Sequence, residues 1–201
     1  MQTAFSARRV HVGLVSIIAL VSSLMTGKVV ASDPAPDPER LGFVEWVVMQ
    51  DSGVRMKARL DTGAKTSSLH ATSVEPFTKD GEEWVRFLLP LDDHKDLESS
   101  ENEGIVLEFE RPVERTVLIK RKGAPSQRRY VVNMAFCIAG KTHETEFSLT
   151  DRGAFTYGAL LGRRFMSDDN VLVDSKDSFL ADADCDYNTP DKIADLTHAG
   201  R

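Results

Sequence analysis

Cysteine is almost absent from this chain: of its 201 residues, only Cys137 and Cys185 are cysteines. A cysteine-rich zinc site is thereby excluded, because it needs a full tetrahedral set of ligands at close spacing. In an oxidising compartment the pair either forms a disulfide, tying an acidic, turn-rich tail to the body, or stays as one buried and one exposed thiol. Other signatures are missing too. His143-Glu144-Thr145-Glu146-Phe147 comes nearest to the His-Glu-x-x-His of zinc proteases, yet it lacks the second histidine and alternates like a strand. An ATPase needs a glycine-rich loop ending in Gly-Lys-Ser/Thr, and Gly27-Lys28-Val29 in the signal segment is not one. The five histidines are dispersed as surface or packing residues, and no serine sits in a Gly-x-Ser-x-Gly elbow. These gaps predict a protein without metal, nucleotide or other cofactor.

Charge and hydropathy narrow the field further. A net charge of −6 with no basic stripe points away from nucleic acid. The apolar stretch 10–25 is broken by Ser and Gly and falls short of the roughly 20 residues of a helical membrane span. It follows Arg8-Arg9 and precedes Val29-Val30-Ala31, small residues of the kind a signal peptidase reads. Residues 1–31 therefore read as a secretory signal cleaved after Ala31, with an uncleaved anchor as the alternative. The mature protein is expected in the periplasm or outside the cell, with no stable membrane span. Residues 32–40 are Pro-rich and polar, a linker that cannot pack. The 201-residue chain, 41% hydrophobic, can bury one core, which suits one domain, 41–185, followed by a flexible tail, 186–201.

Within that domain, strand signals dominate at 42–49, 54–60, 84–89, 105–109, 116–120, 130–139, 145–150 and 171–174. Turn chemistry separates them: Gln50-Asp51-Ser52-Gly53, Lys79-Asp80-Gly81-Glu82 and Ala139-Gly140-Lys141. Such spacing predicts an all-β closed barrel with one short helix at 163–168. The stretch 91–103 is charged and aperiodic, a solvated insertion whose carboxylates nothing aims at a common centre.

Asp61-Thr62-Gly63-Ala64 ends the alternating run Met56-Lys57-Ala58-Arg59-Leu60. A carboxylate on a Gly turn straight after a strand is either an ordinary capped turn or the catalytic loop of an aspartic protease. The second reading uses every residue: Asp61 as the acid, Thr62 to lock the loop, Gly63 to turn it and Ala64 to leave room for a peptide. Nearly a hundred positions on stands Leu160-Leu161-Gly162, an apolar-apolar-Gly run suited to backing such a loop. A basic hairpin is expected between Val117-Leu118-Ile119 and Tyr130-Val131-Val132, with Lys122-Gly123-Ala124 at its tip. It reads as a mobile flap over the peptide, or as a solvated hairpin without a role. Lys120, Arg121, Arg128 and Arg129 on its arms would steer acidic peptides.

The strings Arg59-Leu60-Asp61-Thr62-Gly63-Ala64-Lys65-Thr66-Ser67-Ser68-Leu69-His70-Ala71 and Leu160-Leu161-Gly162-Arg163-Arg164-Phe165-Met166, with Phe147-Ser148-Leu149-Thr150-Asp151-Arg152 and Val171-Leu172-Val173-Asp174, resemble a bacterial family of retropepsin-like proteins. That family carries the historical label "ATP-dependent zinc protease", and neither half of the label finds a motif here. The resemblance covers about 41–180 and departs at Gly158, where the family favours Pro. It implies a retropepsin barrel with the Leu160-Leu161-Gly162 strand beneath the Asp61 loop. It also implies peptide hydrolysis by a water held between two Asp61 carboxylates. Only one Asp-Thr-Gly is present, so the second carboxylate must come from a second copy of the chain in a homodimer. The alternative is a retropepsin-like domain that binds a peptide or an envelope partner without cutting it.

Overall fold

The computed structural model describes residues 36–91, 104–121 and 123–199. The signal segment 1–31, residues 32–35 of the linker, residues 92–103 of the charged insertion, Lys122 at the hairpin tip, and residues 200–201 lie outside the described residues. In chain order the strands are β1 (Glu39–Gly42), β2 (Val44–Met49), β3 (Val54–Asp61), β4 (Ser67–His70), β5 (Thr72–Lys79), β6 (Glu82–Pro90), β7 (Val106–Pro112), β8 (Arg115–Arg121), β9 (Ala124–Ile138), β10 (Lys141–Thr150), β11 (Ala159–Gly162) and β12 (Val171–Asp174). Two helices join them, α1 (Arg163–Asp168) and α2 (Pro190–Ala199).

The class is all-β, arranged as three sheets in place of one clean barrel. Seven strands run in the order β10-β4-β11-β3-β2-β9-β8, and an additional β9–β10 pairing closes part of this sheet into a ring. Outside it stand the parallel pair β1-β12 and the antiparallel sheet β5-β6-β7. Long β9 makes the ring possible, because it pairs with β8 near its start and with β2 and β10 toward its end. Turn residues close the hairpins: Asp80-Gly81 and Ala139-Gly140 both adopt positive φ, at 53° and 85° and at 50° and 70°, as two-residue hairpin turns require.

Strand alternation sets the orientation of β3. Val54, Met56, Ala58 and Leu60 face the core, so Arg55, Lys57, Arg59 and Asp61 face away from it. Phe136, Phe147 and Phe165 meet edge-to-face at centroid distances of 5.8 and 5.3 Å and tie β9, β10 and α1 into one core.

Three strands carry no apolar alternation and lie outside the expected set. β1 takes Glu39 and Arg40, the end of the expected linker, into a parallel pair with β12. β4 reads Ser-Ser-Leu-His, and β5 contains Pro76, tolerated because β5 lies at the edge of its sheet. The single helix expected from the sequence is joined by a second, α2, within residues expected to form a flexible tail. Its Pro190 opens the helix, where a missing N–H costs nothing, and Ile193 is buried in the core.

Between β12 and α2 the chain crosses the outside of β2 as a strap. Asp177 O accepts from Phe43 N at 3.0 Å, Val44 O accepts from Phe179 N at 2.9 Å, and Phe179 stacks on Trp46 at 5.7 Å. Buried Glu45 receives the amides of Gly42 (2.6 Å) and Leu180 (2.7 Å) on one carboxylate oxygen. A Cβ on Gly42 would stand 2.6 Å from Ser178 Cα, so the strap lies against bare backbone. Cys137 and Cys185 are joined, with Cα atoms 6.0 Å apart, and anchor the far end.

A tighter contact lies beneath the Asp61 loop. β11 runs parallel to β3 with Leu161 opposite Leu60 and Gly162 opposite Asp61. A Cβ on Gly162 would fall 2.6 to 2.9 Å from the backbone C, O and N of Thr66.

Gly162→Ala should therefore lower stability by at least about 2 kcal/mol, because backbone must move to admit the methyl group. Gly123→Ala, with φ +74° but nothing within 4 Å of the new Cβ, should cost about 1 kcal/mol. Urea unfolding of the two variants checks the order. The disulfide closes a loop with a sequence separation of 48, so the double variant Cys137→Ser/Cys185→Ser should lose about 3 kcal/mol in the same assay.

Candidate active site

Asp61 is the last residue of β3, and the chain turns back on it at once. Its Oδ1 accepts the amides of Gly63 (2.8 Å) and Ala64 (3.2 Å). The same Ala64 amide also reaches Asp61 O at 3.2 Å. Among the described residues no hydrogen bond to Oδ2 is found; Asp61 is half-buried, and the adjoining Thr62 and Gly63 are exposed. The carboxylate is thus fixed through one oxygen and open through the other.

The loop beyond it is held from below. Ala64 O and Lys65 O accept from Arg163 N (2.9 Å) and Arg164 N (3.1 Å), the first amides of α1. Ser67 Oγ accepts from Gly162 N at 3.1 Å, and Ser148 Oγ donates to Ser67 O at 3.2 Å. Leu160, Leu161 and Gly162 therefore lie directly alongside β3 and the Asp61 loop. Beside Thr62 a groove of about 460 Å³ is lined by Arg163, Met166, Ser167, Asn170 and residues 171–173. Leu172 projects there 58% exposed.

Of the hairpin residues, Gly123 occupies the turn and Ala124 opens β9, while Lys122 lies outside the described residues. β8 is an edge strand with Leu118 exposed and Arg115 paired to Glu146 at 2.6 Å. Among the described residues no group of three or more His, Cys, Asp or Glu side chains is placed to hold a metal ion. No helix there is long and apolar enough to cross a membrane.

One residue that sequence reasoning passed over is Arg152. It is only 6% exposed, donating from Nη1 to Ser68 Oγ (2.8 Å) and from Nε to Tyr157 O (3.0 Å), with Phe155 4.7 Å from its guanidinium carbon. No carboxylate forms an ion pair with it among the described residues. Burial first, then repulsion from Arg129 and Arg59, push its pKa down to about 10, while the charge of Asp61 acts the other way. Arg59 shares the outward face of β3 with Asp61, and both act on Arg152 with opposite sign. His70, wholly buried, accepts the Arg152 amide on Nδ1 at 2.8 Å. Arg152 ends one of the strings that carry the family resemblance, but a charged pair with Asp151 after an apolar strand looks like a solvated turn, and the sequence gives it no role.

Curated relatives named "probable alpha-L-glutamate ligase" are 38% identical over 141 residues in Shewanella pealeana and 35% identical over 136 residues in Desulfotalea psychrophila. These matches cover 69% and 67% of this chain but only 29% and 27% of the relatives, so the chain spans less than a third of their length. A crystal structure of a Legionella pneumophila protein of unknown function superposes with a TM-score of 0.59 at 29% identity, covering 71% of this chain and 98% of that one. The family model for the RimB-like retropepsin-like aspartic endopeptidases matches residues 40–184. With its one Asp-Thr-Gly loop backed by an apolar-apolar-Gly strand, this chain belongs to the RimB-like family of retropepsin-like aspartic endopeptidases.

Proposed function

We propose that the protein is an aspartic endopeptidase working as a homodimer, with a water held between the Asp61 carboxylates of two copies. The observation that carries this reading is the carboxylate itself, pinned by two loop amides through Oδ1 and open through Oδ2. In the reaction one Asp61 acts as base on the water while the other, protonated, polarises the scissile carbonyl. Two carboxylates at such range share one proton, because both cannot stay ionised. The partner's surface must lie beside Thr62 for the two loops to meet, and the groove with exposed Leu172 supports that face. The hairpin around Gly123 serves as the flap. The Cys137–Cys185 disulfide supports an oxidising compartment, the periplasm or the exterior.

Peptides rich in carboxylates are the substrate class. Arg152 is buried, repelled by Arg129 and Arg59 and attracted by Asp61, so an acidic side chain of the peptide stabilises its charge. The basic arms of the hairpin add to that field, and the name borne by the curated relatives, a glutamate ligase, supports the same reading.

Asp61→Asn should abolish hydrolysis while leaving fold and dimer intact, since the amide keeps the shape but cannot share the proton. Activity per chain of the wild type should fall on dilution as the dimer dissociates. Binding of peptide without any cleavage by the wild type would favour the non-catalytic reading. For substrate class, kcat/KM on a Glu-containing peptide should exceed that on its Gln counterpart by about tenfold or more. Arg152→Met should erase most of that ratio through KM.

A further inference from the structure

His70 ends β4 with no exposed surface, and it holds both ends of the loop 151–158. Its Nδ1 accepts from Arg152 N at 2.8 Å, and its own amide donates to Gly158 O at 2.7 Å. Arg152 then crosses the loop to Tyr157 O and reaches Ser68 on β4. At the far end of this loop begins β11, the strand that carries Gly162 under Asp61. A ring nitrogen that accepts an N–H carries no proton, so the imidazole is neutral with its hydrogen on Nε2.

We propose that His70 is a positioning residue, and that a proton arriving on Nδ1 from solvent releases the 151–158 loop from β4 and slackens the support of Asp61. Its effect on turnover rests on the hydrolytic function proposed above. Once protonated, Nδ1 becomes a donor facing the Arg152 amide, also a donor, and that bond is lost. A new acceptor is at hand: Asp151 Oδ1 lies 3.8 Å from Nδ1 and at present receives Gly153 N at 2.9 Å. Proton uptake thus exchanges an internal bond of the loop for an ion pair at its exposed edge. Asp151 favours the exchange and the neighbouring Arg152 guanidinium opposes a further positive charge; Arg59, Arg129 and Asp61 act in turn on Arg152. The flanking stretches of β10, 147–150, and β11, 159–160, bring no titratable side chain, whereas α1, also packed on β4, carries Arg163 and Arg164.

The test follows the Arg152 amide by hydrogen exchange in the full chain from about pH 8 to about pH 5, the range in which histidines ordinarily titrate. Exchange is expressed as protection relative to the intrinsic rate, for the wild type and for His70→Asn, whose Oδ1 replaces the Nδ1 acceptor without titrating. In the wild type, protection of this amide should fall by about tenfold or more toward acid, as the loss of a buried hydrogen bond requires. In His70→Asn it should stay level. Turnover of the wild type should show a matching acid fall in kcat with KM little changed, and the variant should lack it. Flat protection in the wild type, or an equal fall in both proteins, overturns the proposal. Should His70→Asn not fold, the wild-type His70 ¹⁵N shifts decide: Nδ1 must gain its proton with the midpoint at which Arg152 loses protection, and a ring unprotonated throughout overturns it. The exchange measurement needs no substrate, so its outcome for His70 stands whether or not the protein cleaves peptides.

Discussion

Contact of bare backbone between Gly162 and Thr66 is the constraint on which the rest of the structure depends. Parallel pairing brings Gly162 level with Asp61, and no side chain fits between β11 and the returning loop. The loop can then hang on the first amides of α1 and on Ser67 Oγ, with no need of a larger turn of its own. A short loop tied at both ends holds its aspartate in one orientation, which chemistry at a shared proton demands. β4, the polar strand beside β11, exists to complete this clamp: its serines bond to backbone and to Arg152 where a core strand would present aliphatic groups.

Electrostatics at the site run against the character of the whole chain. The protein carries a net charge of −6, yet buried Arg152 feels two arginines, Arg129 and Arg59, and one aspartate, Asp61. Arg152 has lost most of its water and has only neutral oxygens in exchange, an arrangement that costs stability unless an anion completes it. Its bonds to Tyr157 O and Ser68 Oγ tie the loop 151–158 to β4, and its charge is available to a carboxylate, that of Asp61 or of a peptide.

The strap follows a different logic. Glu45 is 1% exposed, and its charge is met by two backbone amides, so a buried carboxylate serves as a junction between the β1–β2 corner and the strap. Aromatic stacking of Trp46 on Phe179 and the Cys137–Cys185 bond extend the attachment along the outer face of the sheet. The segment buries little apolar surface of its own, and covalent and polar ties replace a core.

Local patterns in the sequence determined a good part of this protein. Alternation in β3 dictated which residues face the core and, by the same period, that Asp61 faces out. Turn residues located the hairpins, and the Asp-Thr-Gly-Ala and Leu-Leu-Gly strings identified the family. Strands β4 and β5 escaped because they hold their places through hydrogen bonds and an edge position, neither of which leaves an apolar period. Helix α2 escaped because, among its described side chains, only Ile193 is buried. Arg152, His70 and Glu45 were beyond reach for a common reason. Their types are those of a solvated surface, and only the approach of segments more than eighty residues apart for Arg152 and His70, and of the strap for Glu45, removed their water and chose their partners.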